Sequence, residues 1–256
     1  MLIDSHAHIL YDFIDTNKVV SNMESDGLDK IVTIGVDVES SVKAVEFARK
    51  HKNIYCAVGI HPDEVENISE KDLEIIDKLA NDEKVVAIGE IGLDYHTRQN
   101  TKEKQKEIFV AQIEIAKKHN LPICVHSRDS ATDTYQILKE HEKDIVKPSM
   151  MHCFCENGEF AKKYLDLGFY ISFAGNVTFK KYDRSFIKQI IPIDKICVET
   201  DAPFLSPEPM RGSYNEPARV KFTAQKLSDE FEMSFEDFAK HTVENTYRVY
   251  KKMKRD

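Results

Sequence analysis

Eight short apolar runs, separated by longer amphipathic or polar stretches, constrain this chain more than any other feature. The runs lie at residues 2–6, 30–36, 54–59, 85–90, 121–126, 149–153, 169–173 and 195–199. Near-continuous apolar strands are buried on both faces, so they predict a parallel sheet clothed by helices. Helical patterns fall at 40–50, 70–81, 101–120, 129–141, 156–167 and 183–191. The clearest is 101–120, where Ile108, Ala111, Gln112, Ile115 and Ala116 follow helical spacing among lysines and glutamates. Two further patterns, 216–230 and 234–252, close the chain and are expected to pack around the outside.

Eight such units in 256 residues predict a (β/α)8 TIM barrel, read as a single domain over 1–256. A doubly wound sheet usually carries fewer strands and a glycine-rich turn after the first. Here the first run passes into His6-Ala7-His8 with no glycine.

Composition narrows the setting. No stretch approaches the roughly 20 apolar residues that span a bilayer, and no basic segment leads into an apolar run at the N-terminus, so cytoplasmic residence without a membrane is the expectation. The net charge of −8 argues against a broad grip on duplex DNA, which rests on Lys and Arg, but leaves room for a short strand or a strand end. No obligate protein partner is evident. Cys56, Cys124 and Cys197 sit in apolar runs and read as buried thiols. Cys153 and Cys155 flank no second cysteine pair, so a structural zinc site is not predicted.

The polar clusters fall where the strands end, which in a barrel is the one face that carries an active site. Asp4, His6 and His8 are spaced two apart, so in extended chain they project the same way, and the two imidazoles suit one metal ion. The spacing leaves open that both histidines merely begin a loop. Asp4 is expected to orient a ligand histidine from behind. His61 ends the third run, either approaching substrate or serving as a loop residue. Glu90 closes the fourth, straight after its apolar residues; burying a carboxylate there requires compensation, from bridged metals or from a barrel cation. Asp94 is read as a supporting or substrate contact. His126 and His152 end the fifth and sixth runs and together suit a second metal. Arg128 offers a bidentate fork for phosphate or carboxylate, and Asp129 is expected to cap the following helix. Asp201 is a candidate ligand and proton acceptor, with Glu199 beside it. Imidazole with carboxylate oxygen suits Mg2+, Mn2+ or Zn2+.

These segments resemble the TatD family of metal-dependent deoxyribonucleases, within the amidohydrolase-type barrels. The resemblance rests on Asp4-Ser5-His6-Ala7-His8, Gly59-Ile60-His61-Pro62, Gly89-Glu90-Ile91-Gly92-Leu93-Asp94-Tyr95, His126-Ser127-Arg128, His152-Cys153-Phe154, Glu199-Thr200-Asp201-Ala202-Pro203 and Arg211-Gly212-Ser213-Tyr214-Asn215-Glu216-Pro217, in the family's order. Many amidohydrolase relatives bridge their metals with a carboxylated lysine on the fourth strand; Glu90 in that place points to the TatD branch. The resemblance implies that His6, His8 and Asp201 hold one divalent cation, His126 and His152 a second, and Glu90 both. It also implies cation-dependent DNA hydrolysis, commonly exonucleolytic, on single strands or strand ends, with Arg211 and Asn215 in a loop near the substrate.

The expected chemistry is phosphodiester hydrolysis by a metal-activated water. Asp201 and Glu90 act on the water and the metals, while His61 and Arg128 face the phosphate. A rival keeps the metals and changes the bond, to an ester or amide as in a D-aminoacyl-tRNA deacylase. A barrel that binds metal without catalysis is disfavoured, because no ligand is missing.

Overall fold

The computed structural model describes residues 1–255. Its strands are β1 (Leu2–Ala7), β2 (Leu28–Ile34), β3 (Ile54–Val58), β4 (Val85–Asp94), β5 (Ile123–Arg128), β6 (Ser149–Met151), β7 (Phe169–Phe173) and β8 (Ile196–Val198). They pair in parallel in sequence order. The two edges meet through Asp201 N–H donating to the His6 carbonyl at 3.0 Å and His8 N–H donating to Ala202 at 2.7 Å. The expected (β/α)8 barrel is thus the observed fold.

Nine helices accompany the strands: α1 (Thr16–Asn22), α2 (Val38–Lys50), α3 (Glu70–Leu79), α4 (Lys102–His119), α5 (Ala131–Glu140), α6 (Gly158–Asp166), α7 (Ile187–Ile190), α8 (Val220–Glu230) and α9 (Phe235–Val249), counted among the described residues. Local chemistry sets their ends. Asp37 caps α2 by accepting from Ser40 N–H at 2.7 Å, while Arg49 and Lys50 fill its last turn, where cations meet the negative end of the helix dipole. Asn120 stops α4 in the left-handed conformation, with φ 52°. Helix α1 was not legible, because none of its residues is buried and it shows no apolar stripe. Among the described residues no helix is long and apolar enough to cross a membrane.

Two apolar layers result. One lies between the strands and the helices, where Ile108, Phe109, Ile113 and Ala116 of α4 meet residues such as Ile88 and Ile91. The other draws at least one residue from every strand, including Ile3, Val32, Tyr55, Val86, Cys124, Met150, Tyr170 and Cys197. It is closed by Tyr247, Val249, Tyr250 and Met253. The chain end therefore does more than pack around the outside. Helix α9 ends at Val249 instead of running on to 252, and fully buried Tyr250 donates its hydroxyl to the Ser5 carbonyl at 3.2 Å. Filling the barrel from the end where strands begin leaves the opposite mouth for polar groups.

Candidate metal centre

Strand β4 runs four residues further than its apolar signal, to Asp94, and its register against β5 shifts between Ile88 and Ile91. Glu90 therefore lies inside a strand at an irregularity and not at its end, which corrects the sequence reading. Gly92 permits this path: its φ is +144°, and a Cβ there would lie 2.0 Å from the His126 carbonyl oxygen. The register sets Gly92 opposite His126, bringing Glu90 and the fifth-strand histidine to one level.

The carboxylate of Glu90 faces two different histidine pairs. Its Oε2 lies 3.4 Å from His6 Nε2 and 3.5 Å from His8 Nε2. Its Oε1 lies 2.7 Å from His126 Nδ1 and 2.6 Å from His152 Nε2. Asp201 joins the first pair, with Oδ1 3.7 Å from His6 Nε2 and 3.4 Å from His8 Nε2. The six predicted ligand residues thus converge: the donor atoms of His6, His8 and Glu90 lie within 4.8 Å of one another, as do those of His6, His152 and Asp201, and those of His126 and Glu90 with His61. Within the pairs, ring nitrogens approach to 3.3 Å (His6 and His8) and 3.1 Å (His126 and His152). Such close nitrogens, bracketed by carboxylates in a buried pocket, match the donor set of a divalent cation.

Each of three rings is also held from its far side. Asp94 Oδ2 lies 3.0 Å from His126 Nε2, and Glu199 Oε1 lies 3.2 Å from His152 Nδ1 while accepting Cys153 N–H at 2.8 Å. The third is His6, whose Nδ1 lies 3.4 Å from Cys124 Sγ. These contacts fix which nitrogen of each ring points inward. Cys124 went unrecognised in the sequence, where a lone cysteine in an apolar run signals only burial. Asp4 does not orient a histidine ring as expected. Its Oδ2 accepts the Thr200 hydroxyl at 2.5 Å and its Oδ1 the Thr200 N–H at 2.9 Å, tying β1 to the turn that carries Asp201.

The electrostatics follow from burial opposed by partners. Burial pushes the Glu90 carboxyl up, but His152, His61, His6 and His126 around it hold it well below the ordinary range. Burial likewise opposes ionisation of Asp201, but its bond to His8 and the surrounding rings of His8, His152 and His6 together keep it below the ordinary range. For His126, burial favours the neutral ring, yet Asp94 and Glu90 raise it to about 9. His6 shifts down, first through burial and then through His152. The histidines and carboxylates share a tight pool of protons that a cation would displace.

His61 Nδ1 accepts Asp63 N–H at 3.1 Å, and its Nε2 faces Glu90 Oε1 at 3.6 Å. Burial lowers its pKa to about 3, so the ring is neutral. An acceptor Nδ1 leaves the proton on Nε2, which makes that atom a hydrogen-bond donor and not a lone pair for metal. The backbone at Ile60, just before it, is gripped by Gln112 of α4, which accepts Ile60 N–H at 2.7 Å and donates to its carbonyl at 3.0 Å. A buried glutamine at a core position of an apolar helix face was the only sequence sign of this clamp. Arg128 ends β5 exposed, with no hydrogen bond or ion pair to its guanidinium among the described residues. Asp129 does not cap α5: its φ is 53° and its carboxylate turns to His96 Nδ1 at 2.9 Å. Arg211 lies over the Phe179 ring at 4.3 Å, with Glu208 3.8 Å from its guanidinium. Asn215 is buried with its amide donating to the Thr200 carbonyl at 2.8 Å, so it braces the turn after β8. The five cysteines form no disulfide; Cys56, Cys124 and Cys197 are buried as expected, and Cys155 is exposed.

With this geometry in view, the comparisons with known proteins decide the family. The model of the TatD related DNases matches residues 3–251. The chain belongs to the TatD family. This TatD-family hydrolase is 42% identical over 255 residues to the "Uncharacterized metal-dependent hydrolase YabD" of Bacillus subtilis, covering 98% of this chain and 99% of the relative. It is 30% identical over 220 residues to the "3'-5' ssDNA/RNA exonuclease TatD" of Shigella flexneri, covering 84% of each chain. Among solved structures, the TatD homologue YJJV of Escherichia coli superposes with a TM-score of 0.91 at 25% identity over 98% of both chains. The shared family makes the chain a metal-dependent hydrolase, and the histidine–carboxylate cluster is its candidate metal site.

Proposed function

We propose that this TatD-family hydrolase is a two-cation phosphodiesterase that removes nucleotides from the end of a single DNA strand. The observation that carries this reading is Glu90, whose two oxygens face separate histidine pairs. His6, His8 and Asp201 would hold one cation and His126 and His152 the other, with Glu90 offering one oxygen to each. When bound, such a pair supplies charge neutralisation for a phosphoryl group and makes water acidic enough to attack near neutral pH.

The remaining steps belong to side chains. Asp201, kept ionised beside His8, orients the attacking water and accepts its proton. His61, protonated on Nε2, donates to a phosphate oxygen, where developing charge strengthens the bond. Arg128 stands free on the rim to take the next phosphate through its fork. With its amide engaged, Asn215 positions the Asp201 turn. Arg211, stacked on Phe179, keeps its in-plane N–H groups for the substrate.

A net charge of −8 favours a strand end over a long duplex, and the Shigella relative named a single-strand exonuclease supports the same substrate. The test is a side-by-side assay of the metal-replete enzyme on 3′-ended single-stranded DNA and on D-aminoacyl-tRNA. The proposal expects mononucleotide release from the DNA. Rapid deacylation with no nucleotide release would replace it with the acyl-ester reading.

A further inference from the structure

Six large hydrophobic side chains are exposed among the described residues, and four of them are aromatic: Tyr11, Phe13, Phe204 and Tyr214. Single exposed apolar residues are ordinary, but these four form one connected group. Tyr11 and Phe13 stack with centroids 5.5 Å apart and planes 13° from parallel. Phe13 continues to Tyr214 at 4.9 Å, and Tyr11 meets Phe204 edge-on at 6.0 Å. The group begins at the candidate metal centre itself. The ring of His8 lies 6.3 Å from Tyr11 and 6.0 Å from Phe204.

The group joins two loops far apart in sequence, one following β1 and one following β8, and both emerge at the barrel mouth. Packing within the core does not require it, since Phe13 is 58% and Tyr214 73% exposed. Beyond these two rings lies a cavity of about 220 Å3, whose lining includes Asp15, Asp26 and Glu216 with Lys18 as its one cation. The stretch from Ile9 to Asp15 has no Lys or Arg, and that from Pro203 to Glu216 has only Arg211, already held over Phe179. A phosphate backbone gains little electrostatic attraction along this path. Flat, uncharged ligand surface is what it can hold.

We infer that Tyr11, Phe13, Phe204 and Tyr214 form a stacking platform for unpaired nucleobases next to the scissile phosphate. The inference rests on the phosphodiesterase reading and specifies how that site selects its substrate. Base–aromatic stacking tolerates any base, because each has a π face, and it requires the base to be out of a duplex. The platform would thus select single strands by their exposed bases, while the cations and His61 engage the phosphate. It compensates for the scarcity of basic side chains around the mouth.

The chain contains no tryptophan, so a Phe13→Trp variant carries a single indole at the platform. Metal-replete enzyme is given a thymidine dodecamer and an abasic dodecamer with the same phosphate backbone. Wild type should prefer the thymidine strand in kcat/KM by about tenfold or more, the size expected for stacking of one or more bases. In a Phe13→Ala/Tyr214→Ala variant that preference should collapse toward unity, through KM, with melting temperature unchanged. Phe13→Trp should keep the preference, and its emission should be quenched by the thymidine strand and not by the abasic one. A double variant that keeps the full preference, or indole emission that responds equally to both strands, overturns the platform while leaving the nuclease reading intact. If wild type cleaves neither strand with Mg2+, Mn2+ or Zn2+, the nuclease reading fails and the platform falls with it.

Discussion

Asp94 Oδ2 lies 3.0 Å from Nε2 of His126, on the side of the ring opposite Glu90. This pairing fixes Nδ1 as the nitrogen facing the candidate metal centre, and it adds negative charge behind a ring proposed to bind a cation. Asp94 is itself fixed, accepting His96 N–H at 2.9 Å and Thr97 N–H at 2.8 Å.

Asp94→Asn keeps the shape and removes the charge. Metal affinity should fall about 10- to 100-fold, the usual effect of losing the group behind a ligand histidine. Isothermal titration of metal-stripped protein would read this directly. Affinity within twofold of wild type would show that Asp94 does not hold the ring for the metal.

Proton competition gives a second prediction. His126 is raised from 6.5 to about 9 in the metal-free fold, so its protonated form favours folding. That contribution is fully present below pH 6.5 and is lost as pH rises through about 9. Cation binding runs the other way, since the ring must lose its proton. Apparent affinity should therefore climb between pH 6.5 and 9, by about tenfold per unit for each proton displaced. Calorimetry in buffers of different ionisation enthalpy should record the proton release; pH-independent affinity with no release would contradict it.

The Gln112 clamp is a stability prediction with a local consequence. Gln112→Leu leaves the buried N–H and carbonyl of Ile60 without their partner, at a cost of about 1–3 kcal/mol for each unsatisfied group. Denaturant unfolding should show the loss, and the His61 ring resonances should broaden or shift as the turn loosens. Unchanged stability would mean that the backbone at Ile60 finds other partners.

These cases mark where the sequence was and was not legible. The strands were readable because burial on both faces leaves continuous apolar runs, and His6, His8, Glu90, His126, His152 and Asp201 stand out as costly polar groups at or near their ends. What joins those residues to their supports was not readable. Asp94 meets His126 only through the β4–β5 register, and Thr200 meets Asp4 across 196 residues of sequence. No local periodicity encodes either. Asp129 misled for a related reason: an acid before a helix predicts a cap, but a positive φ turns it toward His96. The four exposed rings likewise scatter through polar loops and become a surface only when β1 and β8 meet.

The central claim is that Glu90 joins two cation sites into one reactive centre. Counting bound metal per chain after equilibrium dialysis, in wild type and in Glu90→Gln, tests it most directly. Two cations are expected in wild type and one or fewer in the folded variant, with hydrolysis lost. Two cations retained at wild-type affinity in Glu90→Gln would contradict it.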